Sequence, residues 1–339
     1  MNYLSVCSGI EAATVAWHEM GWNPIAFSEI EKFPSQVLAH HYPNVLNLGD
    51  MTKYKEWELS EPIDILVGGT PCQSFSVAGL RKGLDDPRGN LALTYVGILD
   101  KFKPRWFIWE NVSGVLSSNR GRDFGSFLGA VAECGYGWAY RVLDAQYFRG
   151  TPQRRRRVFV VGYLGNWRPP ASVLFVPACL SGDTSKGRKK EEDTPAFTPS
   201  SFGSYGEGVG TVRASGGDLG GGSETLVIPI NDKATRYKGG GVTRNADGSG
   251  NGLGIGKVGD PSPTLTRGDK HAVFNGLNVR RLTPIECERL QGFPDNYTNI
   301  PWRGKMESPD GIRYKAIGNS MAVPVMRWIG ERIHQYEQT

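Results

Sequence analysis

Residues 64–76 read Asp-Ile-Leu-Val-Gly-Gly-Thr-Pro-Cys-Gln-Ser-Phe-Ser, and the apolar run that begins them predicts a strand buried on both faces. The run stops at two glycines, so Cys72 is expected on a loop just beyond the strand. In an open α/β sheet, ligands bind in the crevice beyond the carboxyl ends of the strands. A thiol at that place suits chemistry, although a small apolar residue in a turn is the alternative.

The composition is that of a globular protein with a small excess of positive charge. A chain of 339 residues can form one large domain or two. Lys and Arg number 39 and Asp and Glu 34, and the net charge of +5 permits a polyanionic partner without requiring one. Because neither a long apolar run nor a signal-peptide pattern is present, we expect a cytoplasmic protein without a membrane partner.

The potential metal ligands are widely spaced. No Cys-x-x-Cys pair occurs, and the five histidines show no metal-ligand spacing. Reduced thiols are therefore expected, with no disulfide framework and no metal site. The cysteines are Cys7, Cys72, Cys134, Cys179 and Cys287.

The first fifty residues predict the opening of a nucleotide-binding unit, because a strand at 3–7 runs through a Ser8-Gly9 turn into a helical pattern. The second strand, 24–28, ends at Glu29, where a carboxylate can bond ribose hydroxyls or simply begin a helix. Asp50 follows a third short strand and can accept from an adenine amino group or cap the next segment.

Polar groups also follow two later strands. Glu110 comes after a predicted strand at 105–109, where a carboxylate is either functional or paired with an arginine. Residues 154–157 are four arginines that run into another predicted strand. Since alternate residues of a strand face opposite sides of the sheet, Arg155 and Arg157 should share one face and Arg154 and Arg156 the other, and one of these pairs could reach the crevice.

The pattern changes after about residue 165. Between Gly203 and Gly259, 18 of 57 residues are glycine, so this stretch is either a linker or loops on a small scaffold. Its interspersed lysines and arginines favour a nucleic-acid surface. Regular patterning returns near residue 279, where Thr283 can cap a helix that has Glu286 at its third position.

Five motifs, taken in order, resemble those of the DNA cytosine-5 methyltransferases. They are Gly-Gly-Thr-Pro-Cys-Gln-Ser-Phe-Ser (68–76), Glu-Asn-Val (110–112), Gln-Arg-Arg-Arg-Arg-Val (153–158), Arg-Leu-Thr-Pro-Ile-Glu-Cys-Glu-Arg-Leu-Gln-Gly-Phe-Pro (281–294) and Ile-Gly-Asn-Ser-Met-Ala-Val-Pro-Val (317–325). The resemblance covers the chain except for about 165–278. It implies an α/β fold, in which a Rossmann-like S-adenosylmethionine-dependent methyltransferase domain carries a smaller loop-rich, β-containing target-recognition domain.

The resemblance also implies a domain plan and partners. The catalytic domain should span 1–164, completed by 312–339, and the target-recognition domain 165–311. The cofactor should be S-adenosyl-L-methionine and the substrate double-stranded DNA, as in a restriction-modification system. The protein should be monomeric and need no metal.

Site residues follow from the same resemblance. Cys72 would attack cytosine C6 and Glu110 would bind N3 and the exocyclic amine, with Arg155 and Arg157 as the other catalytic residues. The implied cofactor-binding residues are Cys7, Ser8, Gly9, Ile10, Glu11, Glu29, Ile30, Asp50, Met51, Pro71, Leu91, Asn319 and Ser320. The implied DNA contacts are Gln73, Ser76, Arg88, Thr264 and Leu265, with Thr211-Val212 as a competing match for the last pair.

This chain departs from the family pattern in its cofactor loops. Cys7 and Glu11 stand where the family has Phe and the second Gly of Phe-x-Gly-x-Gly. Ile30 stands where an aromatic residue often stacks on adenine.

The implied chemistry needs a thiolate and a carboxyl group. Cytosine C5 is too weak a nucleophile to accept a methyl group, but thiolate addition at C6 makes C5 enamine-like. A proton on N3 favours that addition, and the base must leave the stack to be reached.

Three other interpretations fit the sequence less well. The long insertion argues against an RNA cytosine-5 methyltransferase, and the presence of Cys72 and Glu110 argues against a catalytically silent DNA-binding protein on the same fold. A nicotinamide oxidoreductase would need a Gly-x-Gly-x-x-Gly turn, which the first loop lacks.

Overall fold

The structure is a computed structural model that describes residues 1–71, 91–148, 151–175, 228–230, 262, 272–274 and 279–339. Cys72, Gln73, Ser76, Arg88, Thr211, Val212, Thr264 and Leu265 lie outside the described residues. The chain divides into two compact units. Among the described residues, the first unit holds 1–71, 91–143, 156–175 and 325–339, and the second holds 144–148, 151–155, 228–230, 262, 272–274 and 279–324.

A seven-stranded sheet forms the centre of the first unit in the described part of the chain. Its strands are β1 (Asn2–Val6), β2 (Asn23–Ser28), β3 (Leu46–Asn47), β4 (Ile65–Gly68), β5 (Trp106–Val112), β6 (Tyr136–Asp144) and β7 (Arg156–Leu164), in the spatial order β3-β2-β1-β4-β5-β7-β6. The first five strands pair in parallel, and β7 runs antiparallel to β5. The predicted α/β class is confirmed, and the carboxyl ends of the parallel strands meet at one edge.

Helices occur in both units of the described chain. Those in the described ranges are α1 (Ala12–Trp17), α2 (Lys32–His41), α3 (Leu91–Phe102), α4 (Arg122–Glu133), α5 (Arg168–Leu174), α6 (Pro284–Gln291), α7 (Asp310–Asn319) and α8 (Val323–Glu337). Short 3₁₀ turns span His18–Met20, Met51–Glu56, Ser113–Leu116, Ser118–Gly121 and Ala145–Tyr147.

A buried tyrosine connects the two middle strands β4 and β5 to a helix. Tyr95 of α3 is fully buried, and its hydroxyl oxygen lies 3.1 Å from the Leu66 carbonyl oxygen and 3.0 Å from that of Ile108. These bonds tie α3 to β4 and β5 together. Gly68 ends β4 against Val6, whose carbonyl oxygen would overlap any Cβ at this position. Only glycine therefore allows β1 and β4 to approach so closely here.

The last helix completes the first unit. The Trp17 indole nitrogen of α1 donates to the Met326 carbonyl oxygen of α8 at 2.9 Å, and Gly330 leaves room for the same indole. At the other end of α8, Glu337 accepts a hydrogen bond of 2.8 Å from the indole of Trp106. The C-terminal helix is thus attached to both α1 and β5.

The second unit contains a small antiparallel sheet of β8 (Ile228–Ile230), β9 (Ala272–Phe274) and β10 (Val279–Arg281), in the order β10-β9-β8. α6 begins with the predicted capping box, in which Thr283 and Glu286 exchange hydrogen bonds. Glu288 is fully buried and accepts from Thr298 and Arg313. This buried pair holds α7 to α6.

The boundaries of the compact units differ from those of the expected domains. Residues 144–155 belong to the second unit, because Ser262 exchanges backbone hydrogen bonds with Pro152 and Arg154. The first unit resumes at residue 325, not 312, since Arg313 is bonded within the second unit. Both differences arise from contacts between residues far apart in the chain.

Candidate active site

The segment that leads to Cys72 is anchored to β5. Thr70 is buried, its hydroxyl accepts from the Trp109 indole at 3.1 Å, and its carbonyl oxygen accepts from the Asn111 amide at 2.9 Å. Asn111 also accepts from the Val112 N–H at 2.9 Å, so its side chain is held at both ends. Pro71 follows as an exposed residue. The chain is thereby held at Thr70, two residues before the predicted nucleophile.

Glu110 and Arg157 form an ion pair near the end of β5. Arg157 Nε lies 3.2 Å from Glu110 Oε1, and the two side chains are 15% and 13% exposed. β5 continues through Val112, so Glu110 lies within the strand and not after it, opposite Phe159 of β7. The two side chains are accessible to a ligand. They are also sufficiently buried for their electrostatic interaction to be stronger than it would be in water. A carboxyl in this position can accept a hydrogen bond or pass a proton.

Arg155 has different surroundings. β7 begins at Arg156, so Arg155 precedes the strand and the alternation argument does not reach it. Arg155 is 3% exposed, and its guanidinium donates to the backbone carbonyls of Gly318 and Ser320 within the second unit. Backbone oxygens of its own unit are therefore among its partners.

The turn after β1 has an unusual backbone. Cys7, Gly9 and Glu11 all have positive φ angles, of 50°, 57° and 66°. Ser8 fixes this turn by donating through its hydroxyl to the Ser5 carbonyl oxygen and accepting from the Ser28 N–H. Non-glycine residues with positive φ are strained, and such strain is often found at functional sites.

Glu29 joins the turn after β1 to the end of β2. One carboxylate oxygen accepts from the Gly9 N–H at 2.8 Å and the other from the Glu31 N–H at 2.7 Å. Burial raises the pKa of Glu29, while these two N–H groups lower it. Each oxygen keeps a lone pair for another donor. Glu29 thus contacts the first glycine turn, and its contact with ribose hydroxyls stays a prediction.

The other predicted cofactor residues differ in exposure. Asp50 is exposed and accepts from the Thr52 N–H and hydroxyl through the same oxygen, Oδ1. Ile30 is 71% exposed. Ile10 and Met51 are buried, and Leu91 is half-buried at the start of α3. Asn319 is exposed and Ser320 is buried, and both belong to the second unit.

Two titratable groups lie at the same turn. Burial, with smaller contributions from Glu29 and Asp50, raises the pKa of Cys7 to about 12, and the thiol lies 3.4 Å from the Met51 sulfur. Burial raises the pKa of Glu11 to about 8, opposed by Ser5 and the Thr14 backbone. Cys7 is therefore a neutral thiol at neutral pH, and Glu11 is largely protonated there.

The side chains at the carboxyl ends of β1 and β2 fit an adenosyl group. A carboxylate with remaining lone pairs at Glu29 suits a ribose diol, and exposed Ile30 offers an apolar surface beside it. A Cβ at Gly9 or Gly49 would meet no atom within 4 Å, so the turns leave open space in front of them. Sequence reasoning found these residues but missed Thr70, because its role depends on contacts with β5.

Neither metal nor membrane features accompany the site. Across the residues that the structure describes, no group of three or more His, Cys, Asp or Glu side chains could hold a metal ion. No helix in the same ranges is long and apolar enough to cross a membrane.

Comparisons with known proteins show the family and the fold of this chain. The chain matches the family model described as C-5 cytosine-specific DNA methylase over residues 1–198 and 212–335. It is 29% identical over 343 residues to the Type II methyltransferase M2.BsuMI of Bacillus subtilis, covering 99% of this chain and 76% of that protein. The solved S. pombe Dnmt2 methyltransferase has a TM-score of 0.62 at 17% identity over 100% of both chains, which shows the fold.

One relative has a different named activity. The DNA N-6-adenine-methyltransferase of Escherichia phage P1 is 37% identical over 477 residues, and the match covers 98% of this chain. The chain spans 61% of the length of that relative.

Proposed function

We propose, because this chain belongs to the C-5 cytosine-specific DNA methylases, that it transfers a methyl group from S-adenosylmethionine to C5 of cytosine in double-stranded DNA. The observation that carries the proposal is the Glu110–Arg157 ion pair. Glu110 follows Trp109 in β5, and the Trp109 indole donates to the Thr70 hydroxyl. A carboxyl partner for the pyrimidine ring and a fixed approach to the thiol of Cys72 are the two parts that this reaction needs.

In the proposed first step the Cys72 thiolate forms a bond to C6 of a flipped-out cytosine. The electron pair of the C5–C6 double bond moves into the ring, and Glu110 gives a proton to N3. Arg157 holds the Glu110 carboxylate and stabilises the charge that is left on it. C5 then has the character of an enamine carbon and can act as a nucleophile.

In the second step C5 forms a bond to a methyl carbon. S-adenosylmethionine, when bound, would supply this group as an electrophile, and the electron pair of the broken methyl–sulfur bond would stay on its sulfur, leaving S-adenosylhomocysteine. A base then removes the proton from C5, the C5–C6 double bond returns, and the electron pair of the C6–S bond goes back to Cys72. Glu110 recovers its proton from N3, so the protein ends the cycle unchanged.

The cofactor would be held at the carboxyl edge of β1 and β2. Glu29 would accept from the ribose hydroxyls, and Asp50 would accept from the adenine amine through Oδ2. Ile30 would cover one face of the adenine with its exposed side chain. The backbone at Gly9 and Gly49 would approach the ligand closely, since neither residue carries a side chain.

Sequence choice is proposed to reside in residues 165–278, whose glycines let the backbone approach base edges closely. Exchange of this segment for that of a relative with another target should transfer specificity. An active chimera that still methylates the original site would contradict the assignment.

The activity is tested on DNA from a host that expresses the protein. Bisulfite sequencing gives the methylated positions, and mass spectrometry of the digested nucleosides gives their chemistry. The proposal expects 5-methylcytosine at one sequence. The N6-methyladenine named by the phage P1 relative, without 5-methylcytosine, would contradict it.

A further inference from the structure

The side chain of Asn47 bonds to the backbone of two neighbouring segments of the first unit. Its Oδ1 accepts from the Glu29 N–H at 3.0 Å and from the Gly49 N–H at 3.1 Å. Its Nδ2 donates to the Glu29 carbonyl oxygen at 3.0 Å. Because the oxygen meets two donors and the nitrogen meets an acceptor, the amide has one orientation only. This side chain therefore joins the residue after β2 to the segment after β3.

The bonds of Asn47 extend the pairing of β2 with β3. Phe27 and Asn47 are the last paired residues of these strands, and Glu29 is the second residue after Phe27. The Asn47 amide offers Glu29 an acceptor and a donor, as the backbone of a neighbouring strand would. Without this amide the Glu29 N–H would lose its acceptor, and its carbonyl oxygen would keep the Ser35 hydroxyl, at 3.1 Å, as a donor.

The carboxylate of Glu29 is held as well as its backbone. Its two oxygens accept from the Gly9 N–H at 2.8 Å and the Glu31 N–H at 2.7 Å, and each keeps a lone pair for a ligand. The carboxylate lies at the carboxyl end of β2 and contacts the turn after β1. This is where an acidic side chain binds ribose hydroxyls in a sheet of this kind. The backbone bonds of Asn47 thus set the place from which this carboxylate reaches a ligand.

Loss of Asn47 should disturb Glu29 more than the segment after β3. Two of its three bonds go to Glu29 and one to Gly49. Gly49 keeps another bond, because its carbonyl oxygen accepts from the Ser28 hydroxyl at 2.7 Å. The next residue, Asp50, is held separately by the N–H and hydroxyl of Thr52. The effect of Asn47 on a ligand should therefore come chiefly through Glu29.

We infer that Asn47 is a positioning residue, which holds Glu29 where its carboxylate can accept hydrogen bonds from the ribose hydroxyls of an adenosyl ligand. The inference rests on the proposed function, in which Glu29 is the ribose ligand. Asn47 acts through Glu29 and does not itself contact the ligand. Local patterns in the sequence gave no sign of this role, because Asn47 and Glu29 lie 18 residues apart.

Two ligands separate this role from a general effect on folding. S-adenosylhomocysteine carries both ribose hydroxyls, and its 2′,3′-dideoxy analogue carries neither. Calorimetry on the full chain measures the dissociation constant of each ligand. Wild type should bind S-adenosylhomocysteine at least about tenfold more tightly than the analogue, because hydrogen bonds to a carboxylate are charge-assisted.

Asn47→Ala should lose affinity for one ligand only. Its binding of S-adenosylhomocysteine should weaken about five- to tenfold, because Glu29 is no longer held in place. Its binding of the dideoxy analogue should stay within about twofold of wild type, since that ligand lacks the hydroxyls that Glu29 would bind. A variant that is merely destabilised would lose affinity for both ligands alike.

Matched variants complete the design. Glu29→Ala should show the same selective loss, and Asn47→Ala added to it should cause little further loss, because both act on one interaction. Asn44→Ala replaces an exposed asparagine in the segment before β3 and should bind both ligands as wild type does. If Asn47→Ala does not fold, Asn47→Ser takes its place. Its hydroxyl is too short to reach all three backbone groups, so it should show the same selective loss at a smaller size.

Four results would overturn the inference. Two of them concern Asn47→Ala, namely an equal loss of affinity for both ligands and no loss for either. Equal binding of the two ligands by wild type would remove the ribose contact of Glu29, and with it the role of Asn47, but leave the proposed methylation standing. Failure of wild type to bind either ligand would overturn the proposed function and the inference together.

Discussion

The side-chain amide of Asn111 donates a hydrogen bond of 2.9 Å to the carbonyl oxygen of Thr70. This bond joins the end of β5 to the segment after β4, two residues before Cys72. Because the Val112 N–H donates to the same Asn111 side chain, the amide has one orientation only. The bond therefore connects the strand that carries Glu110, the proposed general acid, to Thr70.

Loss of the Asn111 amide should slow the reaction. Asn111→Leu keeps the volume but leaves the Thr70 carbonyl and the Val112 N–H without partners. We expect kcat to fall about 10- to 100-fold, because small displacements of a nucleophile are costly. S-adenosylhomocysteine affinity should not change. Ser113→Ala, in the turn that follows β5, is the control. If steady-state kinetics give Asn111→Leu a kcat within threefold of that of Ser113→Ala, Asn111 does not position the nucleophile.

Glu110 should be required in its acid form. Glu110→Gln keeps the shape and a hydrogen bond but cannot give a proton to N3, so we expect kcat at least about 100-fold lower. Arg157→Met should lower kcat in the same direction, since it removes the cation 3.2 Å from the carboxylate. Glu133→Gln, at the exposed end of α4, serves as the control. A Glu110→Gln enzyme with a tenth or more of wild-type kcat would argue against proton transfer.

Glu11 should make the protein less stable as pH rises. Its pKa is about 8 in the folded protein, against an ordinary value of 4.5, because it is buried. Between these values the folded protein holds a proton that the unfolded chain has released, so the free energy of unfolding decreases as pH rises from about 4.5 to about 8.

Glu11→Gln tests this dependence, because an amide stays neutral at every pH. At about pH 8.5 it should raise the free energy of unfolding by roughly 2–5 kcal/mol, and it should flatten the pH dependence. Urea denaturation at several pH values measures both effects, with exposed Glu56→Gln as the control. An equal pH slope in Glu11→Gln and wild type would show that Glu11 is not the cause.

The strand and helix ends around the site could be predicted from the sequence, because they depend on local patterns. A buried strand that ends in two glycines predicted β4, which spans Ile65–Gly68, and turn chemistry predicted the capping box at Thr283. The roughly twenty-residue spacing predicted Glu29 as a ribose ligand, and in the structure Glu29 accepts from the Gly9 N–H at 2.8 Å. These features are set by residues that lie close together in the chain or by the regular geometry of a βαβ unit.

The rest depends on contacts that local patterns do not contain. The alternation of strand residues placed Arg155 with Arg157, but β7 begins between them and Arg155 binds the end of α7. The compact units differ from the expected domains because Ser262 and Arg313 bond within the second unit. Thr70 has no sequence signal, since its two partners lie 39 and 41 residues away.

Trapping with a fluorinated substrate tests the central claim most directly. When fluorine replaces the C5 hydrogen, no proton can leave C5 after methyl transfer, so Cys72 cannot be expelled. Protein incubated with S-adenosylmethionine and a duplex that carries 5-fluorocytosine at the target should form a stable adduct. Mass spectrometry should find a Cys72 peptide bearing a methylated nucleotide, and Cys72→Ala should form none. Normal turnover without an adduct, or an adduct on Cys7, Cys134, Cys179 or Cys287, would contradict the account.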